Sequence, residues 1–190
     1  MLDLETAGTR VTSAIRSIGA VVFDPYSGDP GSVPTPGRPG TFYRNVSLRD
    51  AIQEGFTTDD RTMAWWAEQP QEARDALENP KPVTVKTALR DFSEWCERHA
   101  KGSDFLVLWC HATFDAPILG YAYDLLGREA PWRFYNVVDL RTYARVKVGA
   151  STLSRVDNVP TEGLHRADYD AYRQAIAVIV VGPMVEPRPW

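Results

Sequence analysis

Alternation of apolar and polar residues divides the first fifty positions into three predicted strands. Successive side chains on a strand point to opposite faces, and suitable stretches lie at positions 2–4, 17–24 and 41–46. Between the last two, residues 27–40 hold four glycines and four prolines, a composition that sustains neither a helix nor a strand ladder. The pattern predicts an antiparallel meander with a flexible Pro/Gly-rich loop at 27–40.

A period of 3.6 residues predicts helices over much of the remaining chain. In the clearest helix, 84–100, the residues of one stripe are Val85, Ala88, Leu89, Phe92, Trp95, Cys96 and His99. Weaker patterns predict helices at 48–54, 58–69, 115–126 and 140–148, and a last helix that contains Asp170. Apolar stretches at 105–110 and 134–138 indicate two more strands. This alternation predicts an α/β fold with a mixed sheet and helices on both of its faces.

Composition predicts one domain over residues 1–190. The chain is 44% hydrophobic with six tryptophans, which is enough apolar material for one core. It has no apolar run of about 18 residues and no apolar stretch behind basic residues, so neither a membrane span nor a secretion signal is predicted. Cys96 and Cys110 occupy apolar positions without zinc-ligand spacing, so we expect buried thiols and a cytoplasmic protein. Residues 183–190 are predicted to be a short C-terminal tail.

Charge argues against a protein that coats nucleic acid but leaves a nuclease open. The formal net charge is −4 and the pI is near 5.4, whereas non-specific nucleic-acid affinity comes mostly from Lys and Arg. The last third of the chain does contain a concentration of basic residues: Arg141, Arg145, Lys147, Arg155 and Arg166. Some of them hold phosphates beside a cleft, or they form a solvated helix face; the sequence leaves both alternatives open.

Two carboxylates in the first predicted strand are the strongest chemical signal. Asp3 and Glu5 are two residues apart, so they point to the same face of the strand, while Leu2 and Leu4 point to the other. Like charges on one face repel unless a cation neutralises them, and Mg²⁺ or Mn²⁺ prefers such oxygen ligands. For an isolated pair, a solvated acidic strand edge would be the better explanation, so the signal needs partners elsewhere in the chain.

Further candidates follow in two later segments. Asp115 lies at the predicted start of a helix, directly after a buried strand and a polar turn; it could be an ordinary first-turn carboxylate. His165 and Asp170 are five residues apart, about 140° of rotation on a regular helix, and could not share a site if both were helical. If they do share one, His165 must lie on the turn after Gly163 and Asp170 inside the helix. That position suits a general base.

The ordered set Asp3, Glu5, Asp115, His165 and Asp170 resembles the DEDDh branch of the DnaQ-like 3'-5' exonucleases, which share the ribonuclease H-like fold with a five-stranded mixed sheet. The resemblance covers nearly the whole chain, and its other segments include Ile18–Phe23, Trp65-Trp66, Ala112–Leu119, Asp139–Thr142 and His165–Asp170. These segments are most similar to exonuclease VIII-like domains and 3'-5' exoribonucleases of the RNase AS kind.

The resemblance implies metal-assisted hydrolysis of a phosphodiester. Asp3, Glu5, Asp115 and Asp170 would bind two Mg²⁺ or Mn²⁺ ions, and His165 would take the proton of the attacking water. His111 stands where many relatives carry Asn; it could contact the substrate or be a packed structural histidine. Asp139 is better explained as a helix N-cap than as a metal ligand.

The resemblance also implies the substrate-binding residues Leu4, Thr6, Trp66, His111 and Phe114. A base could stack on one of Trp65 and Trp66, while the other packs in the core. We expect RNA 3' ends as the partner, with release of nucleoside 5'-monophosphates; a DNA exonuclease of the exonuclease VIII or proofreading type is the alternative. A non-catalytic nucleic-acid-binding module is disfavoured because it has no use for clustered carboxylates. A homodimer is compatible with the family.

Overall fold

Three strands form the antiparallel meander that the alternation predicts. The computed structural model describes residues 1–100, 106–149, 159–160, 162–163 and 165–182. Strands β1 (Leu2–Thr6), β2 (Ile15–Val21) and β3 (Thr41–Asn45) pair in that order, and the register sets Asp3 opposite Gly19. The connection from β2 to β3 contains one turn of 3-10 helix, Pro30–Ser32. The flexibility expected for residues 27–40 stays a prediction.

Two further strands form a separate parallel pair. Strands β4 (Leu108–Cys110) and β5 (Val137–Asp139) pair with Leu108 opposite Val137. In the described ranges the sheet of three strands and the sheet of two are not joined by a ladder, so a single five-stranded sheet is not observed. The expected strands at 105–110 and 134–138 are shorter than predicted. Strands of three residues offer few backbone groups with which to extend a ladder, although β4 lies beside β1.

The described residues form seven helices around these strands. They are α1 (Leu48–Gln53), α2 (Asp60–Glu68), α3 (Gln71–Ala76), α4 (Val85–His99), α5 (Asp115–Leu125), α6 (Leu140–Val148) and α7 (Ala167–Val180). The predicted helices are confirmed to within about two residues at each end. Helix α3 was not predicted: Pro70, expected only to end α2, is also the residue before its first turn, where proline is well tolerated.

The meander is covered by helices on both faces, as expected. One face, with Leu2, Leu4 and Ile18, packs against the apolar stripe of α4 and against α5. The other face is covered by α7, and buried side chains of α7 and α6 gather around Val21 and Trp109. The apolar stripe of α4 is confirmed up to Cys96. His99, which was predicted to belong to it, is exposed, and its ring contacts that of Trp95.

Close contact between α7 and β2 places the last described helix on the meander that contains β1. A Cβ atom on Gly19 would lie 2.0 Å from the carbonyl carbon of Ala167 and 2.1 Å from the nitrogen of Asp168. On α7, Ala167, Ala171 and Ala175 recur every four residues and are fully buried. Small residues on both partners therefore let the backbone of α7 lie directly on the strand that pairs with β1.

Both cysteines are buried free thiols, as expected. Among the described residues no helix combines the length and the apolar character needed to cross a bilayer. Residues 183–190, expected to be a tail, lie outside the described residues.

Replacement of Gly19 by alanine tests this packing. We expect Gly19→Ala to lower the free energy of unfolding by about 3 kcal/mol or more, because the added methyl group meets backbone atoms that cannot rotate away. Gly120→Ala is the matched control: nothing lies within 4 Å of a Cβ there, and alanine in the middle of α5 should stabilise by about 1 kcal/mol. Urea unfolding of both variants provides the measurement, and equal stability of the two would contradict the packing.

Candidate active site

The two strand carboxylates lie on the face of the meander that α7 covers. Asp3 and Glu5 are both buried, with 9% and 8% of their surface exposed. The Nε2 atom of Gln174, on α7, donates a 2.8 Å hydrogen bond to Oδ1 of Asp3. The ladder shifts register between Glu5 and Thr6, so the pairing of β1 with β2 is irregular directly after the second carboxylate. Strand β1 and helix α7 thus share one polar site inside an otherwise apolar interface.

The start of α7 brings His165 and Asp170 to Glu5. One ligand atom from each of these three side chains lies within 4.8 Å of the other two. His165 precedes the helix, since Arg166 is the N-cap, and Asp170 lies in the first turn. His165 thus lies on the turn after Gly163, where the sequence required it if the two residues were to share a site.

A turn between β4 and α5 holds the fourth carboxylate. Asp115, 1% exposed, accepts a 2.7 Å hydrogen bond at Oδ2 from the backbone N–H of His111. Asp139 is the N-cap of α6, as predicted, and accepts from the backbone N–H of Thr142 at 2.7 Å. Its other oxygen accepts from the backbone N–H of Ala112 at 3.0 Å. Asp139 therefore fixes the start of α6 to the turn that carries Asp115.

The carboxylates destabilise one another's charged forms. Burial raises the pKa of Asp3 to about 7, against the hydrogen bond from Gln174 and the charge of Arg173. Burial, followed by the charges of Asp3 and Asp115, raises the pKa of Glu5 well above its ordinary value. Burial and then Asp3 raise the pKa of Asp115 in the same way. The three groups are therefore close enough that ionisation of one disfavours ionisation of another.

The two site histidines are held in their neutral forms. Burial, and then the charge of Arg173, lower the pKa of His165. Burial and the charge of Arg141 lower the pKa of His111 to about 4. The Nδ1 atom of His111 is buried without a hydrogen-bond partner in the described residues. A neutral imidazole can accept a proton, which a general base requires.

The backbone and ring of His165 are both constrained. Its φ angle is 61°, the one positive value among the described non-glycine residues, and backbone outliers of this kind cluster at active sites. The imidazole contacts the Trp65 ring edge-on, with centroids 4.8 Å apart. Helix α2 therefore limits the positions that the imidazole can occupy beside Glu5 and Asp170.

The tryptophan pair divides between the core and the surface. Trp66 is 4% exposed, and its Nε1 donates a 2.9 Å hydrogen bond to the carbonyl of Thr6. Trp65 is 40% exposed. Trp66 was predicted to bind substrate, and which of the two tryptophans stacks on a base was left open; the burial of Trp66 and its hydrogen bond indicate a structural role. Of the two, Trp65 has the surface on which a base could stack.

A pocket of about 470 Å³ opens beside Glu5. The described residues that line it include Leu4, Thr6, Trp65, Trp66 and Phe114, together with Arg61. Four of the five expected substrate-binding residues are in this lining. His111 is not among them; its charged neighbours are Arg141 and Asp139.

The basic residues of the last third have different environments. Arg166 is paired with Asp168 at 2.9 Å, and Lys147 lies 5.8 Å from the Tyr143 ring centroid. Arg141 and Arg145, four residues apart on α6, are exposed. Arg141 lowers the pKa of Asp3 and so lies near the carboxylates. Arg155 lies outside the described residues.

The sequence-based interpretation missed Arg173 and Gln174. Both lie on α7 among buried alanines, and Arg173 is 9% exposed. The Nη2 atom of Arg173 contacts Oδ1 of Asp170, and its Nη1 donates to the carbonyl of Glu162. The available signal was an adjacent arginine and glutamine in an otherwise apolar helix, three and four residues after Asp170.

The described donor set suits a hard divalent cation. Carboxylate oxygens are the ligands that Mg²⁺ and Mn²⁺ prefer. Asp3, Glu5 and Asp115 supply them from buried positions, and Asp170 from a half-buried one. The Oε1 atom of Gln174 is buried there without a hydrogen-bond partner in the described residues. The raised carboxylate pKa values indicate a site whose negative charge is not fully balanced by the protein itself.

Comparison with known families identifies the family of the chain. The model of the 3'-5' exoribonuclease Rv2179c-like domain family matches residues 1–181, so the chain belongs to that family. A search of the curated proteins finds no match.

The variant Asp3→Asn tests the electrostatic cost of the site. Asparagine can still accept from Gln174 but cannot ionise, so we expect metal-free Asp3→Asn to be about 2 kcal/mol more stable than the wild type at pH 7. The folded state raises the pKa of Asp3 from 3.8 to about 7. This carboxyl group therefore contributes stability below pH 4 that is lost as the pH rises through 7.

The measurement is thermal unfolding in a chelator at several pH values. The difference between Asp3→Asn and the wild type should be small at pH 4 and should increase up to pH 7. Asp124→Asn, which changes an exposed carboxylate on α5, is the control and should show no such trend. A constant difference at all pH values would contradict the prediction.

Proposed function

We propose that this member of the 3'-5' exoribonuclease Rv2179c-like domain family is a metal-dependent 3'-5' exonuclease of the DEDDh type. It would act on RNA, single-stranded or with a 3' overhang, and release nucleoside 5'-monophosphates. The observation that carries the proposal is the meeting of Glu5, His165 and Asp170 within 4.8 Å, beside the electrostatically linked Asp3 and Asp115. A ribonuclease H-like fold is part of the proposal, and the position of β4 beside β1 supports it.

The four carboxylates would hold two Mg²⁺ or Mn²⁺ ions. When bound, such ions activate water and stabilise the charge that develops on a phosphodiester during hydrolysis. Asp3, Glu5 and Asp170 come from β1 and α7, and Asp115 comes from the start of α5. Removal of these ions would leave the carboxylates partly protonated, as their raised pKa values indicate.

The role of His165 is that of general base. Its lowered pKa leaves the imidazole neutral near pH 7, so it can take a proton from water as the water oxygen attacks phosphorus. The bond between phosphorus and the 3'-oxygen of the preceding nucleotide then breaks. The 3'-oxygen leaves with the shortened strand, and the phosphate stays on the 5' side of the released nucleotide.

The pocket beside Glu5 suits the terminal nucleotide. Its volume of about 470 Å³ lies in the range of about 300–1,000 Å³ that is typical of ligand pockets. Leu4 and Phe114 supply apolar walls, and Trp65 has an open surface for stacking. The bond from Trp66 to the Thr6 carbonyl fixes the backbone next to the carboxylates. RNA is preferred on the strength of the family, since a 2'-hydroxyl distinguishes it from DNA.

The RNA strand that leads into the site would run along α6. Arg141 and Arg145 are four residues apart and therefore lie on the same face of the helix. Both are exposed, and Arg141 lies near the carboxylates. Guanidinium groups bind phosphate well. Arg166 is less suited to this role because Asp168 and two tyrosine rings surround it.

The decisive experiment follows 5'-labelled RNA and DNA of the same sequence, single-stranded and with a 3' overhang, in Mg²⁺ or Mn²⁺. We expect RNA to shorten stepwise from its 3' end, with mononucleotide products, and a chelator to stop the reaction. Faster shortening of DNA would favour the deoxyribonuclease alternative. Binding without shortening of either polymer would contradict the proposed enzyme and favour a binding module.

Two variants separate proton transfer from metal binding in the same assay. His165→Ala should lower the rate by about 10²–10⁴-fold, the usual contribution of a general base, and should still bind Mn²⁺ in calorimetric titration. Asp3→Asn should lose both the activity and most of the Mn²⁺ affinity. Equal loss of Mn²⁺ binding in the two variants would mean that His165 is a ligand and not the base.

Charge removal on α6 tests the path of the strand. The double variant Arg141→Ala/Arg145→Ala should bind long RNA more weakly and lower the slope of log affinity against log salt by about 1.4, since each phosphate contact on a single strand contributes about 0.7. Hydrolysis of a dinucleotide should be affected much less. The control, Arg38→Ala/Arg98→Ala, removes two exposed arginines. An equal slope in both double variants would exclude α6 as the path.

A further inference from the structure

We propose that Arg173 is a positioning residue that uses one guanidinium group to hold Asp170 and the turn carrying His165 in a fixed relation. The inference rests on the proposed function, because it assigns a role to Arg173 in the same site. It starts from a side chain that the carboxylate chemistry does not require: an arginine on α7, 9% exposed, in a helix whose neighbouring buried residues are mostly alanine and other apolar types.

The two contacts of Arg173 lie on either side of His165 in the sequence. Its Nη2 meets Oδ1 of Asp170, one helical turn earlier on α7. Its Nη1 donates to the carbonyl of Glu162, three residues before the histidine. A single rigid group thus joins the helix that carries one acid to the turn that carries the base.

The same turn packs tightly against the first turn of α7. Gly163 has a φ angle of 65°, and a Cβ atom there would lie 2.5 Å from the ring of Tyr169. The backbone N–H of Arg166 donates to the Gly163 carbonyl at 3.1 Å. Arg173 therefore closes a segment that is already constrained by backbone geometry, and small errors in its position would move His165 relative to Asp170.

The planar shape of the side chain matters as much as its charge. A guanidinium presents several N–H groups in a fixed plane, so it can bind a carboxylate and a carbonyl at the same time. The ammonium of lysine is a compact point charge on a flexible stem. Lysine at position 173 could keep the ion pair with Asp170, but it would not reproduce the fixed double contact.

The alternative is that Arg173 only balances the charge of the carboxylates, and the test must distinguish this role from positioning. Asp3 and Glu5 favour the charged form of Arg173, although burial lowers its pKa. If the residue only balanced carboxylate charge, any cation at that place would serve. Because the contact with Asp170 is made at Oδ1, the other oxygen of that carboxylate stays available for a bound cation, and positioning does not compete with metal binding.

The test compares Arg173→Lys and Arg173→Ala with the wild type. In Arg173→Lys we expect kcat on RNA to fall by about 10–100-fold, the usual effect of losing an outer-shell contact, with KM and Mn²⁺ affinity unchanged. In Arg173→Ala, millimolar guanidinium should restore part of kcat, whereas methylammonium should not. Arg98→Lys and Arg98→Ala, at an exposed position near the end of α4, should behave as wild type without any rescue.

A second measurement needs no activity. In metal-free Arg173→Ala, millimolar guanidinium should raise the melting temperature in a saturable manner, because it binds the folded state between Asp170 and the Glu162 carbonyl. The wild type and Arg98→Ala should show no such rise. A general loss of folding in Arg173→Ala would leave Arg173→Lys to decide the question by its kcat.

Two outcomes would overturn the role of Arg173. Wild-type kcat in Arg173→Lys would show that a positive charge alone suffices. If folded Arg173→Ala showed neither the rate rescue nor the saturable thermal shift, the double contact would be refuted. Failure of the wild type to hydrolyse any RNA or DNA would instead refute the proposed function. The thermal shift in metal-free protein would still decide whether a guanidinium site exists.

Discussion

The contact of helix α7 with strand β2 at Gly19 is the constraint on which the candidate site depends. Gly19 pairs with Asp3 in the register, and its missing side chain leaves room for the backbone of Ala167. This close approach accompanies the meeting of Asp170 with Glu5 and the hydrogen bond from Gln174 to Asp3. A longer side chain at position 19 would separate residues that are more than 160 positions apart in the chain.

Close packing buries several carboxylates, and their hydrogen-bond partners stabilise the charged forms only in part. Carboxylates removed from water favour their protonated forms, and each charge raises the pKa of the next. Backbone N–H groups, Gln174 and Arg173 stabilise individual oxygens. The pKa of Asp3 nevertheless stays at about 7. Burial of these carboxylates lowers the stability of the folded state at neutral pH, and perturbed pKa values of this kind are typical of functional sites.

Local sequence patterns predicted the helices and strands but did not predict the contacts between residues far apart in the chain. Alternation with a period of two predicted the meander. The 140° rotation between His165 and Asp170 predicted that His165 lies on the turn before α7 if the two share a site. Both predictions use geometry within a few residues. The single five-stranded sheet implied by the resemblance is not observed in the described residues: both short strands were predicted, but with three residues each they offer few backbone groups with which to extend the ladder to β1. Trp66 was predicted to bind substrate, and its bond to Thr6 could not be foreseen because it joins residues sixty positions apart. Membership of a 3'-5' exoribonuclease family is confirmed; the site roles stay predictions.

The composition of α7 explains why its polar residues can be placed so accurately. Ala167, Ala171 and Ala175 form a row of fully buried small side chains, and alanine has no rotamers with which to adjust the helix position. The distance between α7 and β2 is therefore set by backbone contact, which is stiffer than contact between long side chains. Asp170, Arg173 and Gln174 project from this fixed backbone. A site that needs several oxygens held at nearly fixed separations benefits from that rigidity. The buried alanines therefore contribute to the geometry of the site although they carry no polar group.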